Sequence, residues 1–337
     1  MGLLITGHTA SEIWTNIALK LNNGNAKAQP SRAGNTSEYL KVLLELNNPR
    51  ERWVLTREPG INPAFAIAEV VWIMNGRNDS KFLNFWNNQL PKFAGTTNEY
   101  HGAYGFRLRN QFDIDQLNNA YQTFLNNPES RQVVLQIWQS NIDSPKSDGS
   151  PASKDVPCNI VSMLKVRDGK LEWTQIMRSN DLMRGLPHNL IQFTMLQEIM
   201  AGWLGMDVGS YHHFSDSMHL YHDSKEDFSI VSREEIINID DLRVKKESSE
   251  ILFKEFSDKI ENLIFGNVNA KTIREISSWT QAPKAYQNLL FIICAEAARR
   301  FKYNSLVTEF IEKCDNPILN QAWFNWCQRF NQPQPIK

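Results

Sequence analysis

Cysteine is scarce in this chain. Four are present in 337 residues, at positions 158, 294, 314 and 327, and no two are spaced Cys-x-x-Cys. That argues against a zinc ribbon and against a thioredoxin-like pair, and a reducing, cytoplasmic setting is the expectation. Long apolar runs are missing too: none approaches the ~18 residues a membrane span needs. The opening MGLLITGHTASEIW lacks a basic start followed by an apolar stretch, so a secretory leader is not expected. An excess of one charge is also absent. Lys plus Arg is 36, Asp plus Glu is 37, and the net charge is −1. This disfavours a basic surface for nucleic-acid polymers and an acidic disordered tail. No internal repeat is visible. What is there is ordinary for a globular protein: 42% apolar and 22% charged residues, enough chain for one large or two modest domains.

The pattern predicts a mixed α/β protein. NTSEYLKVLLELNN, 35–48, reads as a first helix capped by Asn35 or Thr36. PAFAIAEVVWIMN, 63–75, starts on Pro63 and stops before Gly76, a regular helix frame. It is apolar nearly all round and should be buried, which makes Glu69 in its middle anomalous. A buried carboxylate is costly unless paired or hydrogen-bonded. It is either a structural partner of a nearby Arg or a functional group. Residues 80–90 and 114–126 read as helices, and VVLQIW, 133–138, reads as a buried strand. The Ser-, Pro- and Asp-rich stretch 139–155 reads as a loop. NIVSMLKV and LEWTQIM flank Asp168-Gly169, a strong hairpin signal. Residues 189–204 read as a long apolar helix ending at Gly205. Beyond about residue 225 helices follow over 250–264, 271–279, 284–302, 304–314 and 318–330. The organisation expected is a region 1–230 with strands and a helical region 231–337, free to pack on the same domain.

Three constellations could carry chemistry. Cys294, Cys314 and Cys327 sit in helix-like stretches as small apolar filler, but Cys158 follows Pro157 and opens a strand. Arg178 lies about as far from the hairpin turn as Cys158 does, and an Arg beside a thiol favours thiolate. No Cys-His-Asn protease signature surrounds Cys158. Second, Arg178 and Ser179 together suit a phosphate: a bidentate cation and a hydroxyl. Asn189 carries a donor and an acceptor that can read an amide edge such as that of uracil. It can equally be a plain helix N-cap. Third, His212, His213, Asp216, His219 and His222 crowd one stretch, but no standard metal pattern fits them.

Set in order, the segments resemble the core of the thymidylate synthase family. That family carries a Pro-Cys-His strand opening, an Arg-Ser-x-Asp segment, a Gly-x-Pro-Phe-Asn helix entry and a His-x-Tyr pair. Here they read VPCN, MRSND, GLPHN and HLY. Upstream, PAFAIAEVVWIMNGRND is similar to the family's helix with its buried Glu and Trp. HGAYGFR and NNPESRQVVLQIW resemble its Gly-x-x-Tyr-Gly segment and its Arg-bearing strand. The resemblance spans roughly residues 32–225. It implies a thymidylate synthase-type fold, a mixed sheet with packed helices, and a helical C-terminal region added.

The resemblance also implies chemistry. C5 of a pyrimidine nucleotide monophosphate is a poor nucleophile. Addition of a thiolate at C6 lets C5 attack the methylene of 5,10-methylenetetrahydrofolate, the co-substrate. Cys158 would be that nucleophile. Arg178 and Ser179 would hold the phosphate with Arg32, and Arg131 would reach in from the partner subunit of a homodimer. Glu69 would organise proton transfer through water, and Tyr104 would stand near the proton leaving C5. Asn189 would read the base, while His219 and Tyr221 would bind the sugar hydroxyl. Asp181, Trp72 and Trp86 would lie on the folate side, and no metal is implied.

The departures carry information as well. Asn159 stands where the family has His, Gln132 where it has a second Arg, and His188 where it has Phe. Helices ending in QPQPIK stand where the family has a short closing tail over the folate. A polar, less closed site would let water capture the methylene carbon before hydride does. MRSND likewise resembles the nucleotide hydroxymethylase branch. The expectation is therefore 5-hydroxymethylation of a uracil or cytosine nucleotide. Two alternatives stand beside it: a thymidylate synthase making dTMP from dUMP, and a non-catalytic nucleotide-binding partner module.

Overall fold

A computed structural model describes residues 2–31, 34–224 and 228–331. Ten strands are present among them: β1 (Leu3–Gly7), β2 (Lys27–Ser31), β3 (Gly34–Leu46), β4 (Arg57–Glu58), β5 (Val134–Gln136), β6 (Asn159–Arg167), β7 (Lys170–Met177), β8 (Asn180–Asp181), β9 (Asp207–Tyr221) and β10 (Ser229–Ile230). The helices before residue 225 are α1 (Ala10–Asn22), α2 (Pro63–Met74), α3 (Ser80–Asn84), α4 (Leu90–Ala94), α5 (Tyr104–Arg109), α6 (Gln116–Asn126), α7 (Ser140–Asp143) and α8 (Gly185–Leu204). After it come α9 (Lys246–Phe265), α10 (Ala270–Ser277), α11 (Lys284–Arg300), α12 (Asn304–Lys313) and α13 (Pro317–Asn331).

The main sheet runs β1-β3-β9-β7-β6-β5, with β2 also on β3 and β8 also on β9. It is mixed: β1 with β3 and β7 with β9 are parallel, while β3 with β9 and β6 with β7 are antiparallel. The expected hairpin forms about Asp168 and Gly169, both at positive φ, 51° and 72°. Two positive-φ residues in a two-residue loop match the twist of the strands they join. Layers of helix stack on the sheet. The long apolar α8 lies against β7 and β9, α2 lies on α8, and α9, α11 and α13 pack against α2. One continuous apolar core runs through all of them. No helix among the described residues is long and apolar enough to cross a membrane.

The stretch 35–48, read above as a helix, is strand β3. Its Leu, Glu and Lys content favours helix. However, β1 pairs with one flank and β9 with the other, and Val42, Leu44 and Leu46 alternate inward between them. Tertiary pairing overrides the propensity. The helix expected over 80–90 is split into α3 and α4, with Pro91 inside the first turn of α4. α2 forms as framed, with the Asn62 side chain accepting from the amides of Ala64 and Phe65. α8 begins four residues earlier than expected, at Gly185, and ends on Gly205 in the left-handed conformation, φ 66°. Asn189 is thus inside the helix and is not its N-cap. The five C-terminal helices form within a few residues of their expected bounds.

Candidate active site

The β6–β7 register sets the first group. Asn159 pairs with Met177, so Cys158 and Arg178 meet just beyond the ladder, where the Arg178 amide donates to the Cys158 carbonyl at 3.0 Å. The Arg178 side chain folds back over the same segment. Its Nε donates to the Pro157 carbonyl at 3.0 Å and its Nη2 to the Val156 carbonyl at 3.1 Å, with Nη2 3.8 Å from Cys158 Sγ. The Trp138 ring lies beneath the guanidinium, 5.7 Å away. A cation fixed beside a partly exposed thiol is the surroundings in which a nucleophilic cysteine works.

Tyr104 comes to this thiol on the first residue of α5. Its phenol is pushed well above its ordinary value, first by burial and next by Cys158, with Glu69 also contributing. The approach depends on Gly105. A Cβ there would lie 2.5 Å from the Cα and carbonyl of Ile73, so only glycine lets α5 close on α2. Behind the thiol, Asn159 is fully buried and its Oδ1 accepts from Gln175 Nε2 at 2.8 Å.

Glu69 and His188 form a second group where α2 meets the start of α8. No Arg pairs with Glu69 among the described residues. Its neighbour is His188, with Nδ1 4.0 Å from Glu69 Oε2. Neither atom has a hydrogen-bond partner, although both are closed off. Burial pushes the Glu69 carboxyl up to about 7, opposed by a hydrogen bond from Gln192. Burial also pushes His188 down to about 3, with the Arg57 charge adding to it. Near neutral pH the imidazole is therefore uncharged and the carboxyl is poised to gain or lose its proton.

The remaining predicted residues divide between this site and its surroundings. Asn189 is buried at the head of α8, with Nδ2 donating to Asn180 Oδ1 at 3.2 Å. Asp181 Oδ1 accepts from the amides of Met183 and Arg184, and its buried Oδ2 is left without a partner. His219 pairs with Asp181 across β8 and β9 and stands edge-on to Tyr221, ring centres 5.1 Å apart. Its imidazole is lowered by burial, opposed by Asp181 and Glu38. Ser179 is half-buried beside Arg178. Arg131 is exposed at the entry to β5. Trp72 and Trp86 are core residues, 4% and 1% exposed, and the Trp72 indole donates to the Asp79 carbonyl. Arg32 lies outside the described residues. The histidines of β9 do not converge. His212 faces Glu45, His213 is buried against Asn180, and His222, just past the strand, meets Ser37. Among the described residues no group of three or more His, Cys, Asp or Glu could hold a metal.

Sequence reasoning missed Gln192 and the link from Asn180 to His213. Gln192 sits four residues after His188, one helical turn along the same face. Asn180 was visible as the Asn before Asp181 in MRSND, a mark of the hydroxymethylase branch, but its contact with His213 was not.

Comparison with known proteins places the chain among relatives. The chain is 37% identical over 203 residues to a deoxyuridylate hydroxymethyltransferase of Bacillus phage SP01, covering 57% of this chain and 52% of the relative. It is 33% identical over 175 residues to a protein of the same name from Pseudomonas phage M6, covering 51% and 48%. The chain thus spans about half the length of these two relatives. A thymidylate synthase of Francisella philomiragia is 24% identical over 260 residues, 73% of this chain and 91% of the relative. The sequence model of the family described as thymidylate synthase matches residues 16–265, which runs past residue 230 into α9. That match covers more than half of the chain, and the chain belongs to the thymidylate synthase family.

Proposed function

We propose that the protein is a folate-dependent hydroxymethyltransferase that converts deoxyuridylate to its 5-hydroxymethyl derivative. The observation that carries this reading is the Glu69–His188 pair. The facing atoms, 4.0 Å apart, are closed off, but the two side chains are 18% and 17% exposed, so the pair presents a polar wall that water can approach. In the family's usual pattern a phenyl ring takes the place of His188 and offers water nothing. The names of the two phage relatives point the same way.

In this reading Cys158 adds through sulfur to C6 of the base, and Arg178 stabilises the thiolate that does so. Tyr104 and Glu69 handle the proton that leaves C5. Methylenetetrahydrofolate supplies a carbon at the oxidation level of formaldehyde. C5 bonds to that carbon, its C–N bond to the folate breaks as the C5 proton leaves, and tetrahydrofolate departs unoxidised; water beside Glu69 and His188 adds to the resulting exocyclic methylene, and the Cys158 sulfur is expelled from C6. Arg178, Ser179 and Arg32 grip the phosphate together with the partner's Arg131, which requires a homodimer. Asn189 reads the base edge, and His219 and Tyr221 take the sugar hydroxyl. Asp181, through its free Oδ2, meets the folate, with Trp72 and Trp86 shaping the wall. Residues 1–230 carry the chemistry and 231–337 brace it, in a cytoplasmic enzyme.

Incubation with deoxyuridylate and methylenetetrahydrofolate in 18O-labelled water tests this. The product should carry the label at the new hydroxyl, and no dihydrofolate should form. A methyl product without label, with dihydrofolate in equal amount, would make the protein a thymidylate synthase instead.

A further inference from the structure

Behind Asn189 runs a row of polar groups that none of the roles above uses. Asn189 Nδ2 donates to Asn180 Oδ1 at 3.2 Å. Asn180 Nδ2 lies 2.8 Å from His213 Nε2 and 3.4 Å from Ser215 Oγ. His213 Nδ1 lies 2.8 Å from Tyr211 Oη. All five residues are closed to solvent, none exposing more than 5%. The row is also built at a steric cost to its neighbours. A Cβ on Gly185 would lie 2.6 Å from Asn180 Oδ1, so the helix entry has a glycine where the amide crosses.

The role of each atom follows in turn. Burial pushes His213 down to about 3, so the ring is neutral and has one donor and one acceptor. With the Asn180 amide as it lies, Nδ2 donates to His213 Nε2, and His213 Nδ1 then gives its proton to the Tyr211 hydroxyl. Asn180 Oδ1 is then left facing Asn189, where it only accepts. Asn189 must turn its Nδ2 inward and its Oδ1 toward the site. Flipping the Asn189 amide alone would set two carbonyl oxygens against each other in a buried place, so it can turn only if the Asn180 amide and the His213 tautomer turn with it.

This matters because pyrimidines differ in the same sense. Uracil offers a donor at N3 beside an acceptor at O4. Cytosine offers an acceptor at N3 beside an amino donor. A freely flipping amide reads both patterns, whereas a locked one reads only one and leaves the other with clashing polar groups. We propose that Asn180, His213 and Tyr211 are positioning residues that lock the Asn189 amide and so set the choice of uracil over cytosine nucleotides. This rests on the reading of Asn189 as the base-reading residue.

The test is calorimetric binding of dUMP and dCMP to the full chain, which needs no turnover. The parent should prefer dUMP. In Asn180→Ala and His213→Phe the ratio of the two Kd values should fall by about tenfold or more, with dUMP binding reduced less than the ratio. Tyr211→Phe removes a single oxygen, keeps the ring and leaves His213 Nδ1 without its partner at the far end of the row. It should lower the ratio by a smaller factor, and it decides the matter if the other two variants do not fold. Ratios unchanged in the folded variants, with Asn189→Ala abolishing the preference, would overturn the lock and leave the base-reading role standing. A preference that survives Asn189→Ala would overturn both.

Discussion

Replacing Glu69 by Gln should make the protein more stable at alkaline pH than at mildly acid pH, relative to the parent. Burial raises the Glu69 carboxyl from 4.5 to about 7 in the folded chain, and unfolding restores the ordinary value. Between these values the folded state holds a proton that the unfolded state has lost. Stability therefore falls as pH rises through this window, and the full loss is present above pH 7. At about 1.4 kcal/mol per pH unit the gap amounts to roughly 3 kcal/mol, of which about 2 to 3 kcal/mol develops between pH 5 and pH 8. Gln resembles the protonated acid in shape and hydrogen bonding but never ionises, so the variant escapes this loss. His188 and His213, both lowered to about 3, oppose it in the parent by favouring folding as pH rises. They are present in both proteins and drop out of the difference. Urea unfolding of parent and variant at pH 5 and pH 8 measures it. A stability difference that is the same at both pH values would mean that Glu69 ionises as freely as a surface carboxylate, and the site reading built on its burial would fail.

Four further outcomes are expected. Cys158→Ser should abolish product formation with the fold intact, while Ser at Cys294, Cys314 or Cys327 leaves turnover much less affected; steady-state assays of the four variants decide it. Arg178→Ala should weaken nucleotide monophosphate binding by a few kcal/mol, about 2 to 3 for a charge-assisted contact, and should hardly change nucleoside binding in calorimetry. Mixing Cys158→Ser with Arg131→Ala protomers should restore part of the activity, since one site in each heterodimer is whole; no rescue after proven subunit exchange would argue against a shared site. His188→Phe should raise the share of dihydrofolate and methyl product over hydroxymethyl product, read by mass spectrometry, and an unchanged share would remove His188 from water capture.

The sequence was most legible where local signals agreed with the tertiary structure. The Asp168-Gly169 turn fixed the β6–β7 register, and through it the meeting of Cys158 and Arg178. α2 and α8 were legible because their apolar runs are framed by Pro63, Gly76 and Gly205. β3 was not, because its composition favours helix and only its two neighbours make it a strand. β9 was hidden by its Gly and Ser residues, which break up the alternation of large apolar groups. That left open which histidine of the cluster turns inward against Asn180, which is His213. Glu69 stood out as a buried charge, but its partner did not. His188 is far along the chain and reaches Glu69 only because α2 lies across α8.

The C-terminal helices show how far this coupling extends. α13 lies beyond the span matched by the family. Even so, its Asn325 donates to the Leu55 carbonyl at 3.1 Å, and Gly60 sits against Asn325 closely enough that a Cβ would fall 2.7 Å from it. That grip holds the 55–60 segment, which contains Arg57. The Arg57 guanidinium is lowered to about 10, first by burial and next by Arg329 of α13, and it in turn presses on His188. A second joint runs through the buried Glu198 of α8, which pairs with Arg52 and accepts from the Leu242 amide. Asp240, close by, is held by Asn288 of α11 and by Asn316 at 2.8 and 2.6 Å. Removing Arg52 would strand the buried Glu198 at a cost of about 3 to 5 kcal/mol, and the same carboxylate, through the Leu242 amide, ties α8 to the segment that leads into α9. The helical region is therefore tied both to the segment that carries Arg57 and to α8.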